Sequence, residues 1–177
     1  MTAASGPVSL PQKYLKDTLA NCAAVRTWLG VATVQLALAR MYDDALPPPA
    51  SGDSHTLAEL TTYRPFIMVW TEPEGGYRFE MDASGSQTEF HDSGQLWAEF
   101  EQDVDPLIAD DPSEIHVQLR NSLGAMIAAV KLLAGTAGYL TITGGTLNGP
   151  YRSHPDERAT QGDYIAGLLT VQWEGLG

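Results

Sequence analysis

The chain has 177 residues, 44% of them hydrophobic and 18% charged, and its 22 Asp and Glu outweigh 10 Lys and Arg to give a formal charge of −12. That length suits a single domain, residues 1–177, with a sizeable core, and the acidic balance argues against a surface that neutralises phosphates, so binding to DNA or to an anionic membrane is not expected. Cys22 is the single cysteine, which excludes an intrachain disulfide and a cysteine-based zinc cluster.

Residues 1–11 form a small-residue leader without the positive region and apolar core of a secretory signal. The longest apolar stretch, residues 123–134, is interrupted by Lys131 and is too short to span a bilayer, so a soluble intracellular protein is expected. Leu15, Leu19, Cys22, Val25 and Leu29 recur at helical spacing and predict a helix over residues 12–29, capped by Gly30. Thr33 caps a second helix, whose Val34, Ala37, Leu38, Met41, Tyr42 and Ala45 keep the period until Pro47, Pro48 and Pro49 stop it. Residues 12–49 are therefore expected to be an N-terminal helical portion. Residues 50–63, with Ser51, Gly52, Asp53 and Ser54, follow as a linker or surface loop.

The sheet and long helix are expected over residues 64–177. Phe66 to Trp70 is an unbroken apolar run that suits a strand buried on both faces. After the turn at residues 72–76, Tyr77, Phe79 and Met81 alternate with Arg78, Glu80 and Asp82, so the two segments read as a hairpin with one solvated face. Residues 82–87 are turn-like, and Phe90 suits a short strand. Leu96, Ala98, Phe100 and Val104 fit a strand, while Leu96, Trp97, Phe100 and Val104 fit a helix nearly as well. Asp111, Pro112 and Glu114 open the strongest helix with a capping-box-like arrangement, and Ile115, Leu119, Leu123, Met126, Ile127, Val130 and Leu133 give it one apolar stripe ending at Gly135 or Gly138. Residues 139–143 and 164–173 read as strands, the second with Ile165, Leu169, Val171 and Trp173 on one side. The order predicts an α+β fold: a mainly antiparallel sheet packed by a long helix, with an N-terminal helical portion.

Phosphate-loop, H-E-x-x-H, G-x-S-x-G and G-x-G-x-x-G motifs are absent from the chain. Gly144-Gly145 suits a bend or bulge. His55, His91, His116 and His154 are scattered, without the spacing of metal ligands, although His91-Asp92 has the makings of half a site. The acidic run of Glu99, Glu101, Asp103, Asp105, Asp110 and Asp111 does not follow an EF-hand spacing; Asp110, Asp111 and Glu114 suit the positive end of the helix they open. Glu99, Glu101 and Asp103, if they share a strand face, are crowded unless they meet water or a basic partner, and they are expected to form an acidic assembly or lumen face. Cys22 reads as a small core residue. No cofactor, metal or catalytic group is expected.

Residues 151–163, YRSHPDERATQGD, are unusually long and polar for a connection in a small domain, where about 4 to 6 residues is usual. Two readings compete: a mobile surface loop, or an arm that orders against a neighbouring subunit, with Tyr151 as anchor and Arg152, Asp156, Glu157 and Arg158 supplying charge pairs.

A long helix, a strand, a polar stretch and a final strand of the form GDYIAGLLTVQWEG together resemble the tail terminator proteins of long-tailed bacteriophages, the lambda-type family. The N-terminal helix, the extended segment at residues 65–70 and SGQLWAEFEQDV before the long helix fit the same plan, which favours a strand for residues 96–104. The resemblance implies a structural virion protein without enzymatic activity, made in the host cytoplasm: a hexameric ring that caps the tail tube, stops its polymerisation and offers its other face to the head-side connector, with DNA passing through its lumen unbound. The chain is longer than the compact members of that family, and its second helix with the proline stop is an addition. Another head-tail connector, neck or tail-completion protein is the alternative, and an acidic metal-dependent enzyme built on Glu99, Glu101, Asp103 and His91 is a third.

Overall fold

A computed structural model of the chain describes residues 10–71, 77–81, 87–133, 136–137 and 140–176. The fold is α+β, as expected. Helix α1 (Leu10–Asn21) buries Leu15, Leu19 and Ala20, and α2 (Ala23–Trp28) buries Val25. One continuous helix over residues 12–29 is thus corrected to two. Cys22 is extended between them, with ψ 117°; its carbonyl accepts from Arg26 N to start α2, while Arg26 Nη1 donates to the Ala20 carbonyl that α1 leaves free. Gly30, at φ 69°, ends the pair as predicted.

Thr33 caps α3 (Val34–Leu38) by accepting from Leu36 N, but the helix is shorter than its period suggested. Met41 onward is instead strand β1 (Met41–Asp43), running parallel to β2 (Phe66–Thr71). Two contacts explain the switch: the Arg40 carbonyl accepts from Ile67 N, and Met41 is buried in the core beside the sheet. The expected loop at residues 50–63 is also corrected, because Leu57–Tyr63 forms α4. Thr56 and Glu59 make a reciprocal capping box at its start.

Strand β3 (Tyr77–Met81) pairs with β4 (Gln87–Asp103), not with β2, so the hairpin lies one connection later than expected. The turn expected at residues 72–76 lies outside the described residues, as does the one expected at residues 82–87 except for Gln87, which opens β4 instead. β4 contains both Phe90 and the segment that periodicity left undecided, which is a strand. α5 (Pro112–Leu133) starts as predicted, with Asp111 Oδ1 accepting from Ser113 N. Its ending at Gly135 or Gly138 falls outside the described residues. Strands β5 (Thr136–Ala137), β6 (Leu140–Arg152) and β7 (Tyr164–Leu176) complete the sheet, with the short helix α6 (Arg158–Gln161) between the last two. The register between β6 and β7 slips between Ile142 and Gly144, which is the bulge expected at the glycine pair.

The sheet order is β1-β2-β4-β7-β6-β5, with β3 on the far part of β4, and every pairing except β1 with β2 is antiparallel. Ile67, Val69, Leu96, Ala98, Phe100, Leu169 and Val171 turn one face towards α1, α2 and α5, where the main core forms. α5 does not bury the whole stripe that its sequence offers. Ser122, Ala125, Met126, Ala129 and Leu133 face inward while Ile127 and Val130 are exposed. Small residues on that side let α2 approach closely, and Trp28 Nε1 donates to Ser122 Oγ at 3.2 Å.

Candidate assembly face

Strand alternation places Glu99, Glu101 and Asp103 on the second face, because Leu96, Ala98 and Phe100 point into the core. The rows across this face follow from the register: Glu101 lies between Phe66 and Ala166, with Tyr151 beyond, and Asp103 lies beside Tyr164. Tyr42 packs edge-on against both Phe66 and Tyr63, the last residue of α4, which brings α4 to this side of the sheet.

Three carboxylates on one strand face need a cation, and Arg64 supplies it. Its backbone N–H donates to the Leu60 carbonyl at the end of α4, and its side chain is 2% exposed. Nε donates to Glu101 Oε1 at 2.5 Å and Nη1 to Asp103 Oδ1 at 3.0 Å. Nη1 also donates to the Gln161 carbonyl at 2.7 Å, and the guanidinium lies 4.6 Å from the centroid of the Tyr164 ring. One arginine therefore joins α4, β4, α6 and β7. Gly162 makes room for it: φ is 85°, and a Cβ there would stand 2.6 Å from Leu57 Cδ1 and 3.3 Å from Arg64 Nη1.

Burial pushes the Glu101 carboxyl up from its ordinary range, and Arg64 pulls it part of the way back. Glu99 is raised by burial and by the neighbouring Glu101 charge; among the described residues no basic group pairs with it. Burial and the Glu157 and Glu101 charges push the Tyr164 phenol up to about 12. Tyr151 is raised by burial and by Glu99, Glu157 and Glu101. The carboxylates of β4 and the polar segment thus act on the same two phenols and form one surface.

Residues 151–163 are knitted into the subunit. Arg152 Nε donates to Asp163 Oδ1 at 2.7 Å, and Nη2 donates to Asp163 Oδ2 and to the Ala109 carbonyl. Arg158 lies 3.4 Å from the same Asp163 and donates to the Ser153 carbonyl. Ser153 is buried, accepts from Tyr164 N and donates to the Gly162 carbonyl. The charge pairs expected across a subunit boundary are made by Arg152 and Arg158 inside the chain. Tyr151, Asp156 and Glu157 stay exposed, with Asp156 3.2 Å from His154. The anchors Arg64, Asp163 and Tyr164 escaped the sequence reading, although a basic partner for the crowded carboxylates was anticipated.

Among the described residues no three His, Cys, Asp or Glu side chains gather so as to hold a metal ion, and no helix is long and apolar enough to cross a membrane. The side chains of His91 and Asp92 lie outside the described residues. Compared with known proteins, the chain matches no family model and no curated protein.

Proposed function

We propose that the chain is a structural virion protein of the tail terminator kind, whose ring caps the tail tube, stops its polymerisation and presents a second face to the head-side connector. The observation that carries the reading is the order β4–α5–β5–β6–β7, in which a long helix packs on β6 and β7 of a sheet whose β7 pairs with β4. This is the plan on which the resemblance rests, and it includes the strand at residues 96–103 that periodicity alone left open. Ring closure by copies of one chain needs two different surfaces that fit each other. The second face of the sheet, with its acids, tyrosines and polar segment, is one candidate.

If this face borders the lumen, Glu101 and Asp103 arrive already paired with Arg64. Repulsion of passing DNA then falls to Glu99, Asp156 and Glu157, supported by the net charge of −12. The elements α3 and β1 and the three prolines after them stand outside the compact plan, which favours another neck or tail-completion protein as the second reading. Solution mass across a concentration series, together with negative-stain images with and without tail tubes, tests both. Rings or caps at one tube end support the terminator. Binding to the head-side connector but not to tubes supports the second reading, and a monomer that binds neither removes both.

A further inference from the structure

The apolar stripe that α5 does not bury overhangs β6. Ile127, Val130 and Leu133 of α5 face Ile142, Leu147 and Leu169 across an open groove of ≈ 520 Å³. Ile127 and Val130 are 41% and 40% exposed, and Lys131 stands on the rim. β6 itself is poorly suited to accept another strand: its register slips at two places, between Ile142 and Gly144 and between Asn148 and Tyr151, and Pro150 lacks an N–H. What fits here is a side chain from outside.

The chain carries a matching knob at the other end of α5. Leu107 is 92% exposed, the most exposed large apolar residue among those described. It stands on a turn that is already rigid: Asp105 Oδ1 accepts from Leu107 N, Gln118 Oε1 accepts from Asp105 N, and the Ala109 carbonyl accepts from Arg152. Its flanks are acidic, with Asp105, Asp110 and Asp111, whereas the groove offers Lys131. An α5 of 22 residues is about 33 Å long, so knob and groove cannot meet within one subunit.

We infer that the groove between α5 and β6 receives Leu107 of a second copy of this chain, with Lys131 facing the acids around that leucine. The contact is head to tail, the kind that generates rings or open filaments. It deepens the ring reading above, since it names the two surfaces that meet. The test uses two variants, Leu107→Cys and Val130→Cys, each mixed with itself or with the other in the presence of a short bis-maleimide; Cys22 is buried and stays silent. Cross-linking in the mixed sample alone is the expected result. Wild-type oligomers without a mixed product, or Leu107→Cys linking to itself equally well, would overturn the surfaces and leave the ring reading standing. A wild-type chain that stays monomeric at every concentration and on tail tubes overturns both. As a second readout, Leu107→Asp should weaken self-association about tenfold or more, and Leu36→Asp, at an exposed leucine on α3, should not; equal effects would sink the assignment.

Discussion

Arg64 and Glu101 meet at 2.5 Å on the face of the sheet turned away from the main core, with the arginine side chain 2% exposed and the glutamate side chain 14% exposed. A pair this deeply buried adds little net stability when intact, because both charges lose their hydration. Its removal by halves is another matter. Arg64→Met should cost about 3–5 kcal/mol in chemical denaturation, since it strands Glu101 without a partner. Adding Glu101→Gln should recover part of that loss. Arg64→Lys should fall between wild type and Arg64→Met, because an ammonium cannot reach Glu101, Asp103 and the Gln161 carbonyl together. Equal stability of all four proteins would show that the pair organises nothing.

Much of this arrangement was legible in the chain, and the rest was hidden for physical reasons. The α5 cap at Asp111, the Thr33 cap, the β2 strand and the bulge at Gly144-Gly145 each depend on local chemistry and stand where the sequence put them, although on the second face of β2 only Phe66 is fully buried and Met68 and Trp70 are half-buried. The β1 segment misled because Met41 and Tyr42 continue a helical period, while the partner that makes them a strand is β2, some 26 residues away by register. α5 misled through its own apolar excess. Seven apolar positions predict one face, but the small residues Ser122, Ala125 and Ala129 decide which side α2 can approach. Arg64 was out of reach because its partners come from β4 and α6, and nothing local to Arg64-Pro65 marks it as their cation.

The polar segment makes a prediction opposite to that of a free arm. Arg152 and Arg158 converge on Asp163, whose carboxyl is held below its ordinary range by the Arg152 hydrogen bonds, then by the Arg152 and Arg158 charges. Arg152→Glu with Arg158→Glu should therefore loosen residues 151–163 within the monomer, seen as faster amide exchange at Ser153 and Tyr164, before any effect on assembly. A depressed carboxylate stabilises the fold above the ordinary aspartate value of 3.8 and loses that contribution as pH falls through its lowered value. Amide protection of the segment should accordingly fade below about pH 4 in wild type. Protection that is unchanged in the double variant would mean these pairs are incidental.

Two glycines should respond differently to alanine. At Gly145 a Cβ would stand 2.6 Å from the Thr170 carbonyl oxygen, which is backbone in the neighbouring strand and cannot move without disturbing the β6–β7 register. At Gly167 it would meet Met126 Sδ at 2.7 Å, and a methionine side chain can swing away. Gly145→Ala should cost more than Gly167→Ala, with about 1–3 kcal/mol for the latter, measured by denaturant midpoint. The reverse order would mean that α5 lies more tightly on β7 at Met126 than the bulge grips β7.

Of Glu99, Glu101 and Asp103, Glu99 is the one that Arg64 does not reach, and burial followed by the Glu101 charge raises its folded pKa above the ordinary 4.5. A raised acid binds its proton more readily in the folded state, so stability falls as pH rises from 4.5 through the folded value and stays reduced above it. Glu99→Gln removes that cost. The variant should melt at a higher temperature than wild type at pH 7, and the difference should vanish near pH 4, where wild-type Glu99 is itself protonated in the fold. The same substitution also bears on function: if Glu99 is kept charged for repulsion of DNA in a lumen, the more stable variant should assemble normally yet retain more DNA in electrophoretic retardation at low salt, where charge effects are least screened. A variant no more stable at pH 7 would mean that Glu99 is better solvated than its burial implies, and a gain in stability without any change in DNA retention would place the residue away from the lumen.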